Sequence, residues 1–512
     1  MISKVTTATI IGLNAYKVEV ETDFVNSLPG VSIVGLPDTS VNESRERIRA
    51  AIKNSGFSFP SQKVVINLAP AEIKKEGAIF DLAMALGVLI KDEVISQESV
   101  KDFAFLGELS LDGNLRSIKG VFPLVLGLKQ AGVSSVIVPY ENVEEAALAD
   151  DIEVYGAKTL SDVVSHFKEE KSLKKTKIDI QEYLKTNSMQ EIVYDFKDVK
   201  GQTKAKKALE IAAAGGHNIL MTGSPGSGKT LMAKCFASIL PPLELEEALE
   251  LTKIYSISGL LKDKGLVTHR PFRTVHHSAS ATGIIGGGSN PKPGEITLAH
   301  HGVLFLDEMV EFPRHVLENL RQPLEDGDVT ISRVNSTVKY PANFILVGAM
   351  NPCPCGFLGD SQQACTCSEY QIQKYRSRLS GPILDRIDLQ IEVPRLSPEE
   401  LLNTKTDAES SYVIRKRVVK ARKIQTERYK SYGFFTNSQL SSKLIKEFCK
   451  LDSKSENFLK TAIIKFNLSG RAYDRILKLS RTIADLEGVE NIKQAHIAQA
   501  LQYKSFIIEN GK

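Results

Sequence analysis

The eight residues Gly223, Ser224, Pro225, Gly226, Ser227, Gly228, Lys229 and Thr230 constrain this chain more than any other stretch. Glycine in the first and sixth places lets backbone N–H groups curl around phosphate oxygens. Lys229 then sets a charge on the β- and γ-phosphates, and the Thr230 hydroxyl is placed to ligate Mg²⁺. The context fits: residues 218–222 read as an apolar strand before the loop and residues 231–240 as a helix after it. Val303–Leu306 is a second apolar strand, and it ends in Asp307 and Glu308. A carboxylate at such a strand end holds the Mg²⁺ water shell, and the one beside it polarises an attacking water. ATP hydrolysis with Mg²⁺ is the expected chemistry.

At 512 residues the chain has room for about three domains. Residues 1–167 alternate short β-rich and helical runs, including a helix over 39–55 and a turn at Asp112, Gly113 and Asn114. Residues 168–195 are charged and poorly patterned and read as a solvated linker. A second α/β pattern spans 196–395, and 396–512 reads as helical. The apolar run Ile79–Ile90 is broken by Asp81, well short of the ~20 continuous apolar residues of a membrane span. The first ten residues lack a secretory leader pattern. A cytoplasmic protein without a membrane partner is expected. Sixty-five basic against 61 acidic side chains leave a net charge of only +4, so any nucleic-acid surface must be a local patch.

Asp198–Gln202 ahead of the phosphate loop, Glu308 after its strand and Ala349-Met350-Asn351 ending a later strand resemble an AAA+ ATPase. Three further stretches are similar to the ComM/YifB family of magnesium-chelatase-like ATPases: His276-His277-Ser278 with Gly286–Gly288, Pro293–His300, and Ser380–Asp388. The resemblance covers essentially the whole chain. It implies a multidomain α/β protein with an N-terminal Lon-protease-like (S5-like) domain, an AAA+ P-loop core and a C-terminal helical lid. It implies a homo-hexamer driving branch migration on branched or single-stranded DNA during natural transformation. It assigns Asn351 as the sensor of the γ-phosphate, Arg386 as an arginine finger entering the neighbouring subunit and Arg471 as a second sensor. A magnesium-chelatase-like remodelling or metal-insertion motor would use the same core. Leu106–Arg116 and Glu76-Gly77 resemble parts of the Lon protease domain, but the nucleophile and base positions fall on Ile79 and Phe122, which cannot do that chemistry. The domain therefore reads as a structural or protein-binding module.

Cys353, Cys355, Cys365 and Cys367 form two C-x-C pairs separated by nine residues. Three readings stand: four thiolates closing a tetrahedral Zn²⁺ site, free reduced thiols, or a redox disulfide. A metal here would brace Asn351 without taking part in hydrolysis. The basic run Arg415–Lys430 reads as either a phosphate-tracking helix or a solvated face, with Val418, Val419 and Ile424 turned inward. The glycine-rich run Thr282–Pro293 reads as a mobile loop and Val329–Tyr340 as a hairpin tipped by residues 334–337. In related ring ATPases such insertions point into the pore, which makes Lys292, Arg333 and Lys339 the DNA-phosphate candidates. Subunit-interface ion pairs are their alternative.

Overall fold

Ser3–Ile11 (β1) and Asn14–Val25 (β2) pair antiparallel across a two-residue turn in which Gly12 takes φ 65°, a conformation glycine adopts without steric cost. In this computed structural model, which describes residues 2–187, 193–261, 265–288, 291–333, 336–402 and 408–503, the hairpin centres an eight-stranded mixed sheet. Gly30–Val34 (β3), Lys63–Ala69 (β4), Phe103–Phe105 (β5), Ser135–Pro139 (β6), Glu153–Ala157 (β7) and Lys175–Thr176 (β8) complete it in the order β8–β7–β6–β5–β1–β2–β4–β3.

Helix Asp81–Lys91 buries all of its residues but the last, as a helix without a polar face must. It packs on β1, β2 and helix Thr39–Asn54. Asp38 caps that second helix by accepting from the Val41 N–H at 2.8 Å. The fully buried Asp81 carboxylate accepts from Ser44 Oγ at 2.5 Å and from Arg47 Nε at 2.8 Å. Burial pushes its pKa up, and Arg47 and Ser44 oppose that shift. Phe122 is buried and Ile79 packs against the apolar core, so both positions serve packing.

Two findings depart from the sequence expectation. Residues 168–195 are not simply a solvated tether. Lys175 and Thr176 pair with Tyr155 and Val154, Lys175 ion-pairs with Glu153, and Ile180–Asn187 is helical. An open edge of β7 presents unpaired backbone groups, and two extended residues pair with Val154 and Tyr155 along it. The compact units also interleave along the chain: one holds Met1–Met189 with Glu244–Thr268, the other Gln190–Leu243 with His269–Lys512. Helix Leu245–Ser258 packs on helix Val121–Gln130. The Gly120 N–H donates to the Ser256 carbonyl at 3.2 Å and Ser256 Oγ donates to Glu145 at 2.5 Å.

The second unit is built on Ile219–Thr222 (β9), Phe272–Val275 (β10), Val303–Leu306 (β11), Ile345–Met350 (β12) and Leu389–Glu392 (β13). All are parallel, in the order β10–β11–β12–β9–β13. Every residue of β9 and β11 is buried, the pattern of parallel strands covered on both faces. Helices Ser411–Tyr429, Ser453–Phe466, Gly470–Glu487 and Gln494–Gln502 follow. Helix Ser411–Tyr429 buries Ile414, Val418, Ala421, Gln425 and Tyr429, whereas Val419 and Ile424 are only half-buried. No helix among the described residues is long and apolar enough to cross a membrane.

Removing Asp81 leaves the half-buried Arg47 guanidinium without its charged partner. Asp81→Ala is expected to lower the stability of the first unit by about 3–5 kcal/mol, read as an earlier first transition in chemical denaturation of the full chain.

Candidate nucleotide site

The phosphate loop leaves β9 at its C-terminal end, where parallel α/β sheets bind ligands. Its glycines have separate reasons. A Cβ on Gly223 would lie 2.2 Å from the Val393 carbonyl oxygen, so only glycine fits beside the end of β13. Gly226 and Gly228 have open space around them but φ of 76° and 93°, which turns the chain into helix Lys229–Ser238. Lys229 Nζ folds back to donate to the Gly223 and Ser224 carbonyls at 2.7 and 2.9 Å and to Asn351 Oδ1 at 3.3 Å. Burial pushes its pKa down, and Asp307 and Glu308 pull the other way.

Parallel pairing brings the remaining residues to the same edge. Thr222 lies beside Met350, and Leu306 beside Gly348, so the loop, Asp307 and Asn351 all emerge together. Thr230 Oγ1 donates to Asp307 Oδ2 at 2.9 Å, joining the two oxygens named for Mg²⁺; this hard-oxygen pair suits that ion. Glu308 adopts φ 49°, left-handed for a residue with a side chain. Such a conformation costs of order 1–3 kcal/mol and recurs at functional sites. Its carboxylate lies 3.5 Å from His277 Nδ1. No role for His277 follows from the sequence; β10 carries it beside the end of β11, and only the sheet order reveals this.

Residues 195–401 match the family model for magnesium chelatase, subunit ChlI. Residues 20–142 match subunit ChlI of Mg-chelatase and 408–504 its C-terminal domain. The competence protein ComM of Haemophilus influenzae is 43% identical over 496 residues, covering 97% of this chain and 96% of the relative. The protein YifB of Escherichia coli K12 is 40% identical over 505 residues, 98% and 97% of the two chains. The chain belongs to the ComM/YifB magnesium-chelatase-like family. The magnesium-chelatase 38 kDa subunit of Rhodobacter capsulatus is 26% identical over 226 residues, 41% of this chain and 58% of that one. Membership in the ComM/YifB family supports an ATPase that uses ATP and Mg²⁺.

Arg386 and Arg471 do not join their own phosphate loop. With Gly216 and Asn218 they line a cleft of ≈ 790 Å³ at the opposite end of β9. Arg386 is 9% exposed and ion-pairs with Glu325, not with the neighbouring Asp385 or Asp388, and holds the Glu325 carboxyl below its usual range. Arg475, rather than Arg471, reaches Asp385, at 3.4 Å.

The described parts of the expected DNA segments are ordered, and residues 289–290 of the first lie outside the described residues. Ala281–Ile285 is a short helix with Ile284 fully buried, and Gly286–Gly287 pairs with Lys292–Pro293. The glycines give close approach: a Cβ on Gly286 would lie 2.5 Å from the Lys292 carbonyl oxygen. Asp328–Arg333 pairs with Ser336–Pro341, while tip residues 334–335 lie outside the described residues. The buried Tyr340 hydroxyl donates to the Pro291 carbonyl at 2.7 Å, tying both insertions into one surface. Lys292 is exposed, Lys339 ion-pairs with Asp328 at 2.8 Å, and Arg333 ends its strand. In the basic helix, Arg417 pairs with Glu210 and Glu409, Arg428 with Asp485, and Arg422 donates to the Ala213 carbonyl. Much of that charge therefore holds the helix in place.

The depressed Lys229 pKa has a sign that calorimetry can read. Bound phosphate favours the ammonium, so ATP binding is expected to take up protons on the alkaline side and to weaken once pH passes the free-site pKa. Titration in buffers of different ionisation enthalpy measures the uptake.

Proposed function

We propose that this chain is an ATP-hydrolysing AAA+ ring motor acting on DNA, a branch-migration helicase that aids homologous recombination in natural transformation. The observation that carries the reading is the meeting of Lys229, Thr230, Asp307, Glu308 and Asn351 at one sheet edge. Backbone N–H groups of residues 226–230 and the Lys229 ammonium bind the triphosphate, and Asn351 orients the attacking water beside the γ-phosphate. Glu308 accepts a proton from that water, with His277 holding the carboxylate in line. Thr230 and Asp307 would hold Mg²⁺, which would supply charge neutralisation at the phosphates.

The cleft around Arg386 lies away from the chain's own loop, which favours a site shared between adjacent subunits of a homo-hexamer. Arg386 would exchange Glu325 for a neighbour's γ-phosphate, with Arg471 beside it. The DNA half of the reading is supported by near full-length identity to a competence protein and by the joined insertions bearing Lys292, Arg333 and Lys339. Backbone contacts of this kind are salt-sensitive.

Glu308→Gln is expected to bind ATP and lose turnover. In the wild type, ATPase should rise with a three-strand branched DNA, less so at higher salt, with release of the labelled strand. Basal ATPase that ignores DNA would favour a chelatase-like remodelling motor. Arg386→Ala is expected to lose about 10³-fold in turnover while keeping nucleotide affinity. Mixing it with Glu308→Gln should restore part of the activity, because a mixed interface pairs an intact loop with an intact Arg386.

A further inference from the structure

The four cysteines that follow β12 come together in space. Cys353 Sγ lies 3.4 Å from Cys355 Sγ and 3.7 Å from Cys365 Sγ, and Cys355 and Cys365 are 3.6 Å apart. All four sulfurs, Cys367 included, fall within 4.8 Å of one another. A tetrahedral ion with Zn–S bonds of ~2.3 Å requires sulfurs about 3.8 Å apart. The cage thus has the size of one ion, too small for a polynuclear cluster, and no pair is close enough to be bonded. Backbone N–H groups already point at the sulfurs, from Cys355 to Cys367 at 3.4 Å and from Cys367 to Cys365 at 3.5 Å. Such donors stabilise thiolates and orient them for a metal. An all-thiolate, closed donor set selects Zn²⁺ over the hard ions.

What the cage touches gives it a task. Gly356, between the two C-x-C pairs, takes φ 87°. A Cβ there would sit 2.7 Å from Pro225 Cδ and 3.9 Å from Asn351 Cγ. The same loop carries Asp360, whose carboxylate faces the Ser224 hydroxyl. That hydroxyl and the Gln362 and Gln363 N–H groups hold it below the usual range. The loop therefore bears on both Asn351 and the outer rim of the phosphate loop.

We infer that Cys353, Cys355, Cys365 and Cys367 hold one structural Zn²⁺, and that the loop it closes buttresses Ser224, Pro225 and Asn351 in the geometry ATP turnover needs. The metal half stands on the sulfur geometry alone, and the buttressing half rests on the nucleotide site proposed above. No electron or proton transfer passes through the ion.

The test uses the full-length protein. Elemental analysis should find one zinc per chain, released to a chromogenic chelator when an organomercurial blocks the thiols. Replacement by Co²⁺ should give the visible bands of a tetrahedral thiolate site. Cys355→Ser should lose the metal, whereas Cys355→His, which keeps a nitrogen ligand, should retain both zinc and turnover. Gly356→Val removes none of the four thiolates. It should keep zinc and a wild-type circular dichroism spectrum yet lose about 100-fold in turnover, the cost of an ångström-scale misplacement. Metal-free protein, bound iron, or Co²⁺ bands of another geometry would overturn the zinc assignment. A zinc-loaded Gly356→Val with wild-type turnover, or zinc-stripped protein that still hydrolyses ATP normally, would overturn the buttress. Zinc bound by a wild-type protein that neither binds nor hydrolyses ATP would uphold the metal site and sink the nucleotide-site reading instead.

Discussion

The parallel pairing of β9 between β12 and β13 is the constraint on which the rest of the second unit depends. Because all strands run the same way, each delivers its following residue to one edge: Gly223 after Thr222, Asp307 after Leu306, Asn351 after Met350. A single antiparallel strand would send one of these groups to the far side. The core that secures the pairing is apolar on both faces and draws on the C-terminal helices, with Val418, Ile476, Leu479 and Ile483 in the same cluster as Ile219 and Met221. The polar edge is thus a by-product of a sheet held by burial, and its residues are free to serve chemistry.

That edge is assembled with its charges already arranged but not fully committed. Lys229 donates to backbone carbonyls and to Asn351, and the Thr230 hydroxyl donates to Asp307. These are exchangeable partners, since phosphate oxygens are stronger acceptors for an ammonium than neutral carbonyls. Arg386 shows the same logic in its pairing with Glu325.

The first unit uses the same materials differently. One of its buried polar groups, Asp81, is partnered by Ser44, Arg47 and the Leu109 N–H, and Ile79 and Phe122 serve the apolar packing. What reaches it from the rest of the chain is helix Leu245–Ser258, seated through Ser256 on Glu145. A segment lying between the phosphate loop and β10 in sequence thus belongs to the first unit's own packing.

The phosphate loop, the strand before it, the Asp307–Glu308 pair and the order of α/β and helical regions were legible in the sequence. They are set by local pattern: glycine where φ is positive, apolar runs where strands are buried, carboxylates at strand ends. Other features were decided only by tertiary structure, because each depends on residues far apart in the chain. His277 meets Glu308 because β10 lies beside β11. Gly356 meets Pro225 because the loop after β12 folds over the start of the neighbouring phosphate loop. Arg417, Arg422 and Arg428 look like a free basic face in the sequence, and helix packing turns them into internal partners. Local chemistry names the groups that can act on a nucleotide, and long-range packing determines which of them meet.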